Sequence, residues 1–191
     1  MKKALEPVGL PERSEIFTLL INLDVYDGNY QDALRRVSSR SEDIDTQDFF
    51  IPVAMQRAHI YGYMKDDLAR KYYDEGRKIV EAKIRQEPND ARLHSALGIT
   101  YAGLGRKQDA IREGKLAVDL LPVSKDAMRG ICRVGDLARI YVMVGDFDLA
   151  INEIEFLLSI HSELSIPLLR LDPAWNPLHR HARFKKLIGG K

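Results

Sequence analysis

Cysteine is nearly absent: Cys132 is the single one among 191 residues, so no disulfide can form within the chain. A fold without covalent staples needs a sizeable apolar core, and this length with 45% hydrophobic residues is enough to build one. A surplus of one charge is missing too. The 29 Lys and Arg against 28 Asp and Glu leave a net charge of +1, which removes the electrostatic ground for nucleic-acid binding. No apolar run approaches the ~20 residues that a membrane helix requires, so no membrane partner is expected. Met1-Lys2-Lys3 leads into Ala4-Leu5-Glu6-Pro7, not into the uninterrupted apolar segment of a secretory signal. With a lone thiol, the simplest setting is reducing and cytoplasmic.

Reactive constellations are equally scarce. No Gly-rich loop of the kind that cradles phosphate is present. His161, His179 and His181 fall late in the chain, but no carboxylate or cysteine cluster stands at ligand spacing to complete a metal site. Cys132 has no base beside it in sequence. No catalytic residue, metal site or cofactor is therefore assigned, and the chain is expected not to be an enzyme.

What is present is repetition. Within Ala91 to Ser124, Leu97-Gly98, Tyr101, Gly105, Ala110, Ala117 and Pro122 stand at the landmark positions of a helix-turn-helix repeat of about 34 residues. Tyr141, Gly145 and Ala150 repeat the spacing of Tyr101, Gly105 and Ala110, with about six extra residues inserted between the two units. Gly28 and Ala33 repeat the glycine-to-alanine step. Met64 and Ala69 repeat it with Met in place of the turn glycine. Small alanines let the second helix of a pair approach the first, and a turn glycine adopts the left-handed conformation that ends a helix.

On these residues the chain resembles the tetratricopeptide repeat family over roughly residues 12–162. The resemblance implies an all-α fold, a short right-handed superhelical solenoid of about four helix pairs, whose stability lies largely in the interfaces between repeats. Two positions depart from the pattern: His94 stands where Trp is usual, and Gly114 where a large aromatic normally fills the gap between helices.

The chain divides into an irregular lead-in over 1–11, containing Pro7, Gly9 and Pro11, the repeat domain over 12–162, and a capping segment over 163–191. The first pair is predicted over Glu12 to Tyr26 and Tyr30 to Ser38, with Phe17, Leu20 and Leu23 on one face of the first helix. Arg40 to Asp48 reads as a loop in which Asp45 or Thr46 caps a helix starting near Phe49. A long helix is expected from Asp66 to Gln86, its inner face marked by Leu68, Tyr72, Gly76, Ile79, Val80 and Lys83. Pro88-Asn89-Asp90 ends it and caps the next helix. A further helix is expected from Lys125 to Val144.

In the last segment, Leu169-Arg170-Leu171-Asp172-Pro173-Ala174-Trp175-Asn176-Pro177-Leu178 precedes Arg183-Phe184-Lys185-Lys186-Leu187. This is similar to the closing motif of bacterial multidomain regulators that carry such repeats behind a kinase, cyclase or DNA-binding module. It departs at His181-Ala182, where Asp-Pro is common. The resemblance implies either the interaction part of a longer regulator or a separate gene product. Asp172-Pro173 and Asn176-Pro177 each read as a cap followed by a proline in the first helical turn, with Trp175, Leu178 and Phe184 covering the end of the stack.

Stacked pairs curve so that their first helices line a concave groove. Counted from the landmarks, that face carries Thr18, Asn22 and Tyr26, then Met55, His59 and Tyr63, then Arg92, Ser95 and Ile99, then Asp136, Arg139 and Met143. Met55, Ile99 and Met143 read equally well as core. The candidate partner-binding residues are Asn22, Tyr26, His59, Tyr63, Arg92, Ser95, Arg139 and Met143. Their arginines suit a protein or peptide partner with acidic residues. The clamp by which co-chaperone repeats grip an acidic tail is excluded, because Thr18, Met55 and Ala96 occupy three of its places. Two readings follow: a non-catalytic regulatory or scaffolding module that binds a peptide or partner domain, and a self-assembling element that forms homo-oligomers.

Overall fold

The computed structural model describes residues 14–189. The expected lead-in over 1–11, and Glu12, lie outside them. The described chain is mostly helical: α1 (Ser14–Tyr26), α2 (Tyr30–Ser38), α3 (Val53–Tyr63), α4 (Leu68–Ile84), α5 (Ala91–Gly103), α6 (Lys107–Leu120), α7 (Arg129–Val144), α8 (Phe147–Ser159), α9 (Ile166–Leu171), a 3₁₀ helix (Pro173–Arg180) and α10 (Ala182–Gly189). Each of α1 to α7 packs on the helix that follows it, and α5 also packs on α7.

One turn type joins the first and second helix of every pair. In each, a residue with positive φ is followed by one whose N–H donates to a carbonyl five residues back: Asn29 to Asp24, Asp66 to Tyr61, Arg106 to Tyr101 and Asp146 to Tyr141. Gly105 and Gly145 take the left-handed position without a Cβ clash. In the second unit that position belongs to Lys65, at φ 57°, and not to Met64 as the spacing suggested. Ala33, Ala110 and Ala150 are fully buried, as close helix approach demands, whereas Ala69 is only half-buried.

The gap expected beside Gly114 is filled from the next helix. A Cβ on Gly114 would lie 2.7 Å from Ile140 Cδ1, and one on Gly98 would lie 2.6 Å from the same methyl. Ile140 of α7 thus wedges between α5 and α6. In the second unit the aromatic does exist, and it is Tyr73 rather than Tyr72 that turns inward, packing its ring onto Gly103. His94, in the usual Trp position, is also buried. Its Nδ1 lies 2.7 Å from Glu113 Oε2 and its Nε2 lies 2.9 Å from the Pro88 carbonyl oxygen.

Several expectations are corrected. The inner face of α1 is Phe17, Ile21 and Val25, while Leu23 is exposed, because the buried stripe follows a four-residue step. On α4 the buried residues are Tyr73, Gly76 and Val80, and Leu68 is exposed. The expected 40–48 loop carries one arm of a small antiparallel hairpin, in which β1 (Ile44–Asp45) pairs with β2 (Phe50–Ile51), so that α3 starts at Val53 and not near Phe49. Thr46 Oγ1 accepts N–H bonds from Asp48 and Phe49, so it closes the hairpin turn instead of a helix. Lys125 does not start a helix either. Asp126 Oδ1 accepts the N–H groups of Met128 and Arg129 and caps α7 after a short loop. Asn176-Pro177 lies inside the 3₁₀ helix and caps nothing. Asp90 and Asp172 do cap, accepting from Arg92 N–H and Ala174 N–H at 2.9 Å each. Trp175, Leu178 and Phe184 pack against Leu137, Tyr141 and Ile154.

Two outcomes follow. Gly98→Ala would meet the unyielding Ala110 carbonyl oxygen at 3.0 Å and the Gly114 nitrogen at 3.1 Å, whereas Gly114→Ala would meet only side-chain tips. In urea unfolding, Gly98→Ala therefore costs about 1 to 3 kcal/mol even in an Ile140→Val background. In that same background Gly114→Ala is close to neutral, and equal behaviour of the two glycines contradicts this packing. The second outcome concerns pH. Glu113 raises the His94 pKa above its ordinary 6.5, and His94 lowers that of Glu113 below 4.5. A raised histidine stabilises fully below its unfolded value and loses that contribution as pH rises through the folded one. A lowered carboxylate contributes above its unfolded value and loses it as pH falls. The stability difference between the native chain and His94→Asn should thus peak between pH 4.5 and 6.5 and shrink at higher pH. A difference flat across pH 5 to 9 would contradict a charged pair.

Candidate functional site

Helices α1, α3, α5 and α7 present residues far apart in sequence to one cavity. Asn22, Tyr26, His59, Tyr63, Arg92, Ser95 and Arg139 all line a cavity of about 260 Å³. Met143 lines a second one, of about 730 Å³, which shares His59, Tyr63, Ile99 and Arg139 with the first. The hairpin closes one side through Phe49, Phe50 and Ile51, and Asp172 of the C-terminal segment reaches the cavity from the other. Within this wall the eight candidates differ in character. Asn22 and Met143 are exposed, Ser95 is buried, and the rest are half-buried. Met55 and Ile99 belong to the core.

Two arginines expected to await a partner are already engaged. Arg92 donates through Nε and Nη2 to Asp90, through Nη1 to Asp45 Oδ1 at 2.8 Å, and to the Thr46 carbonyl oxygen. It therefore clasps the hairpin to the N-terminus of α5. Arg139 donates from Nη2 to Asp172 Oδ2 at 2.7 Å, and its guanidinium lies 4.9 Å above the Trp175 ring. Because Asp172 also caps the 3₁₀ helix, Arg139 ties the end segment to the groove.

Burial sets the protonation of the wall. It pulls the His59 pKa down to about 4, with Arg139 adding to the effect, so the imidazole is neutral at neutral pH. Burial likewise pushes the Tyr63 phenol up, leaving a neutral hydroxyl. Burial raises the Asp136 carboxyl, against the opposing pull of Arg133. For Arg139 burial acts downward, but Asp172, Tyr63 and Tyr26 together outweigh it, and the guanidinium stays charged. The result is a wall of neutral hydrogen-bonding groups and aromatic rings, with the Arg139–Asp172 ion pair among them.

Sequence reasoning missed Arg133 and Gln56. Arg133 is 1% exposed. Its Nη2 donates to the Asp48 carbonyl oxygen and lies 3.3 Å from Asp136 Oδ2, while Nε and Nη1 have no hydrogen-bond partner among the described residues. Gln56 Oε1 is buried and likewise unpartnered. The signal for Arg133 was available, since it lies one helical turn before Asp136 on the counted face. The late histidines scatter: His181 faces Asp148 at 3.5 Å, His179 stacks on Phe184, and His161 is exposed. Burial pushes the Cys132 thiol up to about 11. No three His, Cys, Asp or Glu side chains among the described residues could hold a metal ion. No described helix is long and apolar enough to cross a membrane.

No family model matches the chain, and no curated protein or solved structure matches it at a significant level.

Arg92→Ala should cost about 1 to 2 kcal/mol through lost charge-assisted hydrogen bonds. It should also raise amide exchange selectively across residues 44–51. Unchanged protection of the hairpin would show that Arg92 does not hold it.

Proposed function

We propose that this protein is a non-catalytic interaction module, a tetratricopeptide-like solenoid of about four helix pairs that holds a peptide or partner domain in its groove in a cytoplasmic regulatory or scaffolding role. One observation carries the reading: four alternate helices, α1, α3, α5 and α7, supply the wall of one continuous groove. Groove residues that do not hold the helices together are free to serve a ligand. Asn22 and Met143, exposed at its two ends, are of that kind, whereas Arg92 and Arg139 carry structural duties as well.

A second reading, self-assembly into homo-oligomers, draws support from α1. Ile16, Leu19 and Leu23 are 41%, 56% and 49% exposed, and they form an apolar edge at the end of the described stack. The buried Trp175, at 2% exposure, gives it none.

Selection of random dodecapeptides displayed on phage separates the readings. Sequences enriched on the native chain should fail to bind Asn22→Glu, Met143→Glu, which brings bulk and charge into both ends of the groove without touching the core. Light scattering should meanwhile report a monomer at all concentrations. Failure to enrich any sequence, with a mass that climbs with concentration, would favour self-assembly.

A further inference from the structure

The larger cavity is lined by three cations, Lys65, Arg139 and Arg180, and by no carboxylate. Asp172 neutralises Arg139 from the adjoining wall. Neither Lys65 nor Arg180 has an ion-pair partner among the described residues. The rest of that wall includes Tyr30, Tyr63 and Tyr73 together with Pro173 and Pro177 of the capping segment. The turn adds an independent pointer. Glycine fills the left-handed position in the other three turns, but here a lysine occupies it at φ 57°, a strain that glycine would remove. A residue that breaks a local rule at a cavity mouth is where function is expected to override stability.

We propose that the ligand is an acidic peptide segment whose carboxylates are held by Lys65 and Arg180, so that the C-terminal cap forms one wall of the binding site. This deepens, and rests on, the groove reading given above. The cation pair supplies attraction and orientation at the cap end, and the tyrosine rings and Pro177 receive apolar side chains beside the acidic ones. The cap then does more than close the stack: Arg139, bound to Asp172 and lying over Trp175, positions the wall that bears Pro177 and Arg180.

Fluorescence anisotropy tests this with two fluorescein-labelled decapeptide pools built from Ser, Gly, Leu and Phe, one with added Asp and Glu and one with added Lys and Arg. The Asp/Glu pool should bind the native chain more tightly, and its affinity should fall with salt. Lys65→Gly, Arg180→Gln removes both charges while relaxing the turn. It should retain the melting temperature and weaken the Asp/Glu pool about tenfold. Equal binding of the two pools, or an unaltered affinity in the double variant, would overturn the proposal. If binding then still vanishes in Asn22→Glu, Met143→Glu, the groove reading survives without it. If neither pool binds the native chain, both fall.

Discussion

Ile140 inserts its Cδ1 methyl into the notch between Gly98 and Gly114, and this one contact sets how three helices meet. Two glycines allow α5 and α6 to approach until a backbone oxygen and a backbone nitrogen leave no room for a Cβ at Gly98. The remaining gap is shaped for a branched side chain from α7. The approach of α7 to α5 follows from it, and so does the placing of Arg133, Asp136, Arg139 and Met143 on the same wall as Arg92 and Ser95. A helix pair without such a notch could not hold its successor so close.

The groove is thus built from side chains with two kinds of duty. Arg92 and Arg139 use their guanidinium forks to fasten the hairpin and the capping segment, which turns separate elements into continuous walls. Asn22, Lys65, Met143 and Arg180 sit at the rims with no such fastening role on their side chains. The division suits a recognition surface. Rigid walls lower the conformational cost of binding, and rim residues can change without loosening the scaffold.

Much of this architecture was legible in the sequence because it rests on local chemistry. The turn glycines, the buried alanines and the Asp-Pro cap each express a backbone or steric requirement within a few residues. Counting from those landmarks likewise brings seven of the candidate residues to one cavity. What stayed hidden depends on contacts distant in sequence. Ile140 filling the space at Gly114, Arg92 reaching 47 residues back to Asp45, and Arg133 reaching 85 back to Asp48 leave no local trace. The hairpin was missed because strands of two residues are too short to show an alternating pattern. Lys65 escaped notice because a lysine in a left-handed turn contradicts the residue preference used to find such turns.

We propose the face formed by α1, α3, α5 and α7 as the binding surface. Chemical-shift mapping by NMR, with the Asp/Glu decapeptide pool as ligand, tests it residue by residue. The account predicts perturbations at Asn22, Tyr63, Lys65, Ser95, Met143 and Arg180, together with a change in the Trp175 indole signal beneath Arg139. Perturbations confined to the outward faces of α2, α4, α6 and α8 would contradict it.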